Sequence, residues 1–169
     1  APVAEPLEPR LLLAAALADV RLDGDFVVWS ALVGTDREIF AYGPDGLRQL
    51  TDNAFDDTSP HLDGSVVVWQ GKVGTTWEIF VYDLLADSAP RRLTDNVTND
   101  TAPQIEGGTV VWLAHDGRCD QVVRYDLATG TRMQLSSGTH AAKYARIGGG
   151  NITWYAFDGT DDEIYLYDG

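Results

Sequence analysis

Lysine is nearly absent from this sequence: Lys72 and Lys143 are the only two in 169 residues, and 12 basic side chains face 26 acidic ones for a formal charge of -14. Phosphate binding needs a basic footprint, so nucleic acid is excluded as the expected partner. A single cysteine, Cys119, rules out an internal disulfide and a cysteine-based metal cluster. No apolar run reaches the roughly 18 residues of a membrane-spanning helix, so no membrane insertion is expected. The three histidines, His61, His115 and His140, share no metal-ligand spacing such as His-x-x-x-His. Neither a Gly-x-Ser-x-Gly elbow nor a phosphate-cradling glycine loop is present. Carboxylates are numerous enough to pair by chance, so general acid–base chemistry has no support. The expectation is a protein with neither a catalytic site nor a resident cofactor.

What the chain does have is a repeat. Trp29, Trp69, Trp112 and Trp154 recur at intervals of 40, 43 and 42 residues, each closing a short apolar run. Nine residues after each comes a β-branched and aromatic segment ending in Tyr42, Tyr82, Tyr125 and Tyr167. Five residues after each stands a glycine (Gly34, Gly74, Gly117, Gly159), and seven before it an aliphatic (Leu22, Leu62, Ile105, Ile147). A period of about 40–45 residues without 3.6-residue apolar stripes is that of a four-stranded propeller blade. In the second unit, Pro60 to Leu62 reads as a first strand A, Asp63-Gly64 as a hairpin and Ser65 to Trp69 as strand B. Gly71 to Thr75 reads as a turn, Trp77 to Tyr82 as strand C and Arg91 to Thr94 as strand D.

These units predict an all-β protein, a four-bladed β-propeller of four-stranded antiparallel blades. The fourth unit ends after strand C, and Arg10-Leu11-Leu12-Leu13 precedes the first strand A at the distance expected of a strand D. Residues 9–13 are therefore expected to close the ring, with a short surface helix or the remnant of a secretion signal over Leu11 to Leu17 as the alternative. The domain reading is a Pro-rich leader over 1–8 and one propeller over 9–169, with repeats at about 18–57, 58–100, 101–142 and 143–169. A monomer is favoured, and two chains forming a larger ring is the alternative. The start at Ala1 and the Pro-rich stretch behind it suit a mature exported protein, secreted or periplasmic.

At the level of motifs, the chain resembles the TolB-type, WD-repeat-like propellers. The residues that carry the resemblance are Leu50-Thr51-Asp52-Asn53, Asp57-Thr58-Ser59-Pro60, Asp63-Gly64, Val67-Val68-Trp69 and Glu78-Ile79-Phe80-Val81-Tyr82-Asp83, echoed by Leu93 to Asn96, Asp100 to Pro103, Val110 to Trp112 and Tyr125-Asp126. The resemblance implies a periplasmic or secreted scaffold that binds other proteins, although some members carry enzymatic sites. It also implies rings that are usually larger than four blades.

The candidate sites follow from position. The end carrying the D–A and B–C loops holds the residues that vary between units, Asp56, Trp77, His115, Asp116, His140 and Asp161, and is expected to bind a basic or hydrogen-bonding protein partner. Trp77 is its expected anchor, because Arg37, Asp120 and Asp162 stand at the matching positions. Strand A lines a propeller's axis, where Arg21, His61, Gln104 and Arg146 either hold an anion or pair with neighbouring Asp. A lectin-like or small-ligand module, using repeated pockets or this channel, is the second reading of function. The repeated tryptophans are expected to pack between blades, and Asp57 and Asp100 to accept backbone hydrogen bonds in the joining loops. No metal site is expected, with calcium on the cluster from Asp158 to Glu163 as the exception to test.

Overall fold

The structure, a computed structural model, describes residues 17–86 and 89–169 as fifteen strands in four antiparallel sheets. The first sheet contains β1 (Ala18–Asp23), β2 (Phe26–Val33), β3 (Asp36–Gly43) and β4 (Gly46–Gln49). The second contains β5 (Asp57–Asp63), β6 (Val66–Val73), β7 (Thr76–Asp83) and β8 (Arg91–Arg92). The third contains β9 (Asp100–Glu106), β10 (Thr109–His115), β11 (Asp120–Asp126) and β12 (Arg132–Gln134). The fourth has three strands, β13 (Ala142–Gly148), β14 (Asn151–Phe157) and β15 (Asp162–Tyr167). Each sheet runs in simple meander order. The proposed leader and the closing strand at 9–13 lie outside the described residues.

Register is the same in all four sheets: Leu22, Leu62, Ile105 and Ile147 pair with Val27, Val67, Val110 and Ile152. The second unit corrects the expected turn. β6 runs on to Val73, and only Gly74 and Thr75 connect it to β7, with Gly74 at φ +63° supplying the left-handed turn that two-residue hairpins need. Gly71 lies inside the strand, for a packing reason. A Cβ there would lie 2.4 Å from the Asp57 carboxylate. Strand A likewise starts earlier than expected and carries a β-bulge, where Asp19, Ser59, Ala102 and Tyr144 adopt φ near +54°.

Cores form between sheets, as a layered repeat requires. Val28 and Ile39 of the first sheet pack on Leu62, Val67 and Trp69 of the second, and the pattern recurs from the second to the third and the third to the fourth. Acids at the end of strand A then reach across each junction. Asp23 and Asp63 accept the Gly64 and Gly107 amides at 2.6 Å, and Glu106 accepts those of Gly149 and Gly150 at 2.9 Å. The Asp-Gly hairpins are thus clasps between sheets as well as turns.

The expected closure of four blades into a ring is not present among the described residues. On the outward face of the first sheet Leu22 is 71% exposed, whereas Leu62 and Ile105 are 5% and 2% exposed. On the outward face of the last sheet Ile164 is 82% exposed, whereas Ile39 and Ile79 are fully buried. These are the two faces that closure would bring together.

Candidate functional site

The loop-bearing end is organised by buried acids. Trp69 Nε1 donates to Asp57 Oδ1 (2.9 Å) and Asn53 Nδ2 to Asp57 Oδ2 (2.6 Å). The next junction repeats this with Trp112 to Asp100 (2.7 Å) and Asn96 to Asp100 (2.5 Å). The two aspartates therefore accept side-chain rather than backbone donors, a correction to the sequence expectation. It also gives the repeated tryptophans a second role, since an indole N–H buried between sheets needs an acceptor. Glu38 lies beside Asp57, with Oε1 accepting the Asn53 amide and Oε2 buried without a partner. Thr51, Thr94 and Ser136 accept the amides of Ile39, Ile79 and Val122, so the hydroxyl recurs in three junctions.

Burial sets the titration of these acids. Desolvation raises Asp57 to about 6 despite its hydrogen bonds, and raises Glu38 and Asp100 as well. A carboxyl raised in the folded state is equally protonated in both states below its unfolded value. Its stabilising contribution is then lost as pH climbs through its folded value. The chain is therefore expected to melt at a higher temperature at pH 5 than at pH 7, with Asp57 alone accounting for about 1 kcal/mol. Backbone hydrogen bonds lower Glu106, Asp116, Asp126 and Asp158, whose opposite effect begins only below their ordinary range. In Asp57→Asn the gain between pH 7 and 5 should shrink; an unchanged gain would assign it to general charge repulsion.

Each loop residue singled out in the sequence has a defined place. Trp77 is half-buried at the start of β7, its backbone N–H held by Asn99 Oδ1 at 3.0 Å. Asp56 Oδ1 accepts the Arg37 amide (2.9 Å), tying the first sheet to the loop that enters the second. His115 Nδ1 lies 2.9 Å from Asp120 Oδ1, and Asp116 accepts the Arg118 and Cys119 amides in the turn between them. Cys119 is buried, with Sγ against Gly138 O and Gln121 Nε2, so no thiol meets the His115–Asp120 pair. His140 packs edge-on against Phe157, ring centroids 5.2 Å apart. Asp161 joins Asp158 and Glu163 in an exposed acidic group, of which Asp158 already accepts the Thr160 and Asp161 amides.

The axial residues share one register, Arg21, His61, Gln104 and Arg146 opposing Val28, Val68, Val111 and Thr153. Arg21 and Arg146 donate to the carbonyls of Val20 and Ala145, and among the described residues neither has a carboxylate within salt-bridge distance. Burial holds His61 below its ordinary range, and the charges of Arg21 and Arg146 add to the effect. Its Nδ1 faces the Ile105 amide at 3.4 Å.

Sequence reading missed a cleft. Between the third and fourth sheets lies an opening of about 460 Å³, whereas the corresponding place between the first and second holds about 190 Å³. The repeats therefore do not present equal pockets. The signal was available in the repeat alignment, since Ala142 and Gly138 stand where Asp57 and Asn53 do.

No protein-family model matches the chain, and no curated protein matches it in sequence. Solved structures do. A TolB-type protein from Agrobacterium tumefaciens matches with a TM-score of 0.72 at 16% identity, over 92% of this chain and 63% of that one. The β-propeller domain of the Trilobed protease from Pyrococcus furiosus matches with a TM-score of 0.71 at 15% identity, over 96% of this chain and 53% of that one. An acylaminoacyl peptidase from Pyrococcus horikoshii matches at 0.68 and 19%, over 89% of this chain and 25% of that one. Identities this low establish the fold alone, and the fold is that of the TolB-like β-propellers. This chain spans between half and two thirds of the first two structures.

Proposed function

We propose that this chain, whose fold is that of the TolB-like β-propellers, is a non-catalytic interaction module that binds a protein partner on the loop-bearing end of its sheets. The observation that carries the reading is Trp77, a half-buried indole without an aromatic counterpart in the other sheets, at the mouth of a strand whose amide is pinned by Asn99. Large aromatics on a rigid strand end make good interface anchors. The excess of acids gives that partner a basic surface and makes its association salt-dependent. A non-catalytic role is supported by the separate settings of the three histidines: His61 faces the Ile105 amide, His115 pairs with Asp120, and His140 lies against Phe157 with only the exposed Thr139 hydroxyl at 3.5 Å. An exported setting, secreted or periplasmic, belongs to the same proposal and rests on the motif resemblance. For a captured partner, Trp77→Ala is expected to weaken binding at least tenfold (about 1.4 kcal/mol) while leaving the melting temperature in place. Full affinity in the variant would remove Trp77 as the anchor.

A second reading is favoured by the axial arginines, which lack carboxylate partners among the described residues while flanking His61. An anion held there would offset their positive charge. Sulfate is then expected to raise the His61 pKa in an NMR titration of the wild type but not of Arg21→Ala. Equal titration with and without sulfate would count against the channel as a site.

In its finer form the fold proposal concerns closure. The exposed outward faces favour two copies meeting face to face over closure within one chain by residues 9–13.

A further inference from the structure

We propose that the cleft between the third and fourth sheets binds a small monocarboxylate, whose carboxylate occupies the place that Asp57 and Asp100 fill in the other two junctions. The proposal is independent of the protein-binding reading and concerns one position that the repeat has emptied. In register, Asp57 and Asp100 correspond to Ala142, Asn53 and Asn96 to Gly138, and Glu38 and Glu78 to Gln121. The strand pairing confirms the alignment: Asp57 opposes Gly71, Asp100 opposes Ala114, and Ala142 opposes Ala156.

The tryptophan, however, is retained. Trp154 is only 8% exposed, lines the cleft, and has lost the carboxylate that takes the indole N–H of Trp69 and of Trp112. Among the described residues no acceptor replaces it. Although the side chain is largely buried, its N–H is not sealed from solvent, so it stays available to an acceptor that enters the cleft. The framework around it is otherwise intact, because Ser136 still accepts the Val122 amide and donates to Gln121 Oε1 at 2.8 Å.

Charge and shape then select the ligand. In the first junction burial raises Asp57 and the neighbouring Glu38 adds to it, two carboxylates crowding one buried place. Gln121 removes that repulsion in the cleft, so a carboxylate entering there meets an indole donor without a buried acid beside it. His140, at the position of Phe55, adds an imidazole to the lining. Two aromatic pairs flank the space, Trp154 stacked on Tyr165 at 5.6 Å and His140 edge-on to Phe157 at 5.2 Å. Such walls suit an apolar or aromatic body of small-molecule size. Asp158 at the lining, with its carboxylate spent on the Thr160 and Asp161 amides, disfavours multiply charged anions.

The test follows the five indole N–H resonances by NMR while benzoate is added to the full chain, with sulfate at matched ionic strength as the control. The Trp154 resonance, assigned by its loss in Trp154→Phe, is expected to shift saturably with benzoate and not with sulfate. Ala142→Asp supplies the carboxylate from within. It is expected to move the Trp154 resonance without ligand and to weaken benzoate binding at least tenfold. Should that variant fail to fold, Trp154→Phe serves instead, with at least a tenfold loss read on the Gly138 and Thr139 amides. A non-saturating shift, an equal response to sulfate, or undiminished binding in the variant would overturn the proposal.

Discussion

Asp100→Ala is expected to destabilise the chain by about 2–3 kcal/mol, seen in urea as a lower midpoint with an unchanged slope. Asp100 is 1% exposed and accepts from Trp112 at 2.7 Å and Asn96 at 2.5 Å. Bonds to a charged acceptor contribute about 1.5–3 kcal/mol each, so their simple sum would exceed the prediction. It is offset because burial already holds the Asp100 carboxyl above its ordinary range. Its ionised form therefore carries a desolvation cost at neutral pH that the alanine variant no longer bears. What remains is an indole N–H buried without an acceptor, an unpaired Asn96 amide, and a void beside the fully buried Trp112. Asp100→Asn keeps an acceptor for the indole and should lose less. An alanine variant as stable as the parent would show that the bond to Trp112 contributes nothing net.

The junction between the third and fourth sheets shows how the same loss is accommodated. There both acids are gone at once, Gln121 standing for the glutamate and Ala142 for the aspartate. Removing one carboxylate of a crowded pair strands its donors, whereas removing both leaves Gln121 free to bond Ser136 and to reach Gly138 O at 3.4 Å. A single substitution at Asp100, in the junction between the second and third sheets, lacks that compensation.

The period of Trp29, Trp69, Trp112 and Trp154 made the sheets legible in the sequence, because strand register has a side-chain period of 2 and a repeated apolar pattern fixes which face is inward. Strand ends were less legible. Gly71 read as a turn residue because glycine marks turns and also close approaches, and only the position of Asp57 separates the two meanings. The clasps from Asp23, Asp63 and Glu106 were hidden for a related reason. Asp-Gly is already explained by its own hairpin, and its second use depends on how the next sheet is placed. The loop residues were found by their variation between repeats, but variation by loss escaped notice. Ala142 and Gly138 are chemically silent residues, and they became informative only when Trp154 was seen to lack an acceptor.

Light scattering is expected to return about twice the 18.4 kDa of one chain at high concentration, and Ile164→Asp to return the single-chain mass. The argument starts from repetition. The face of each sheet built on Val68, Ile79 and Val81, or on Val28, Ile39 and Ala41, is buried against the Leu62 or Ile105 face of the next. The last sheet presents Ile164 and Leu166 in those positions, 82% and 65% exposed, and the first presents Leu22 and a half-buried Trp29. The two faces therefore match in kind, one chain's last sheet seating the other chain's first, and a two-fold pair uses both at once. Burying a side chain of this size contributes about 1.5–3 kcal/mol, and the dimer buries Ile164 twice. A buried aspartate in each place should weaken association by at least about a hundredfold, or roughly 2.7 kcal/mol. The same comparison limits how tight the pair can be. Gly148 stands where Asp23, Asp63 and Glu106 clasp the following sheet, so the junction between chains lacks the hydrogen bonds of the internal ones. Dissociation on dilution is therefore part of the expected result. A compact monomer at all concentrations, indifferent to Ile164→Asp, would instead favour closure within one chain, with residues 9–13 as the segment to delete next.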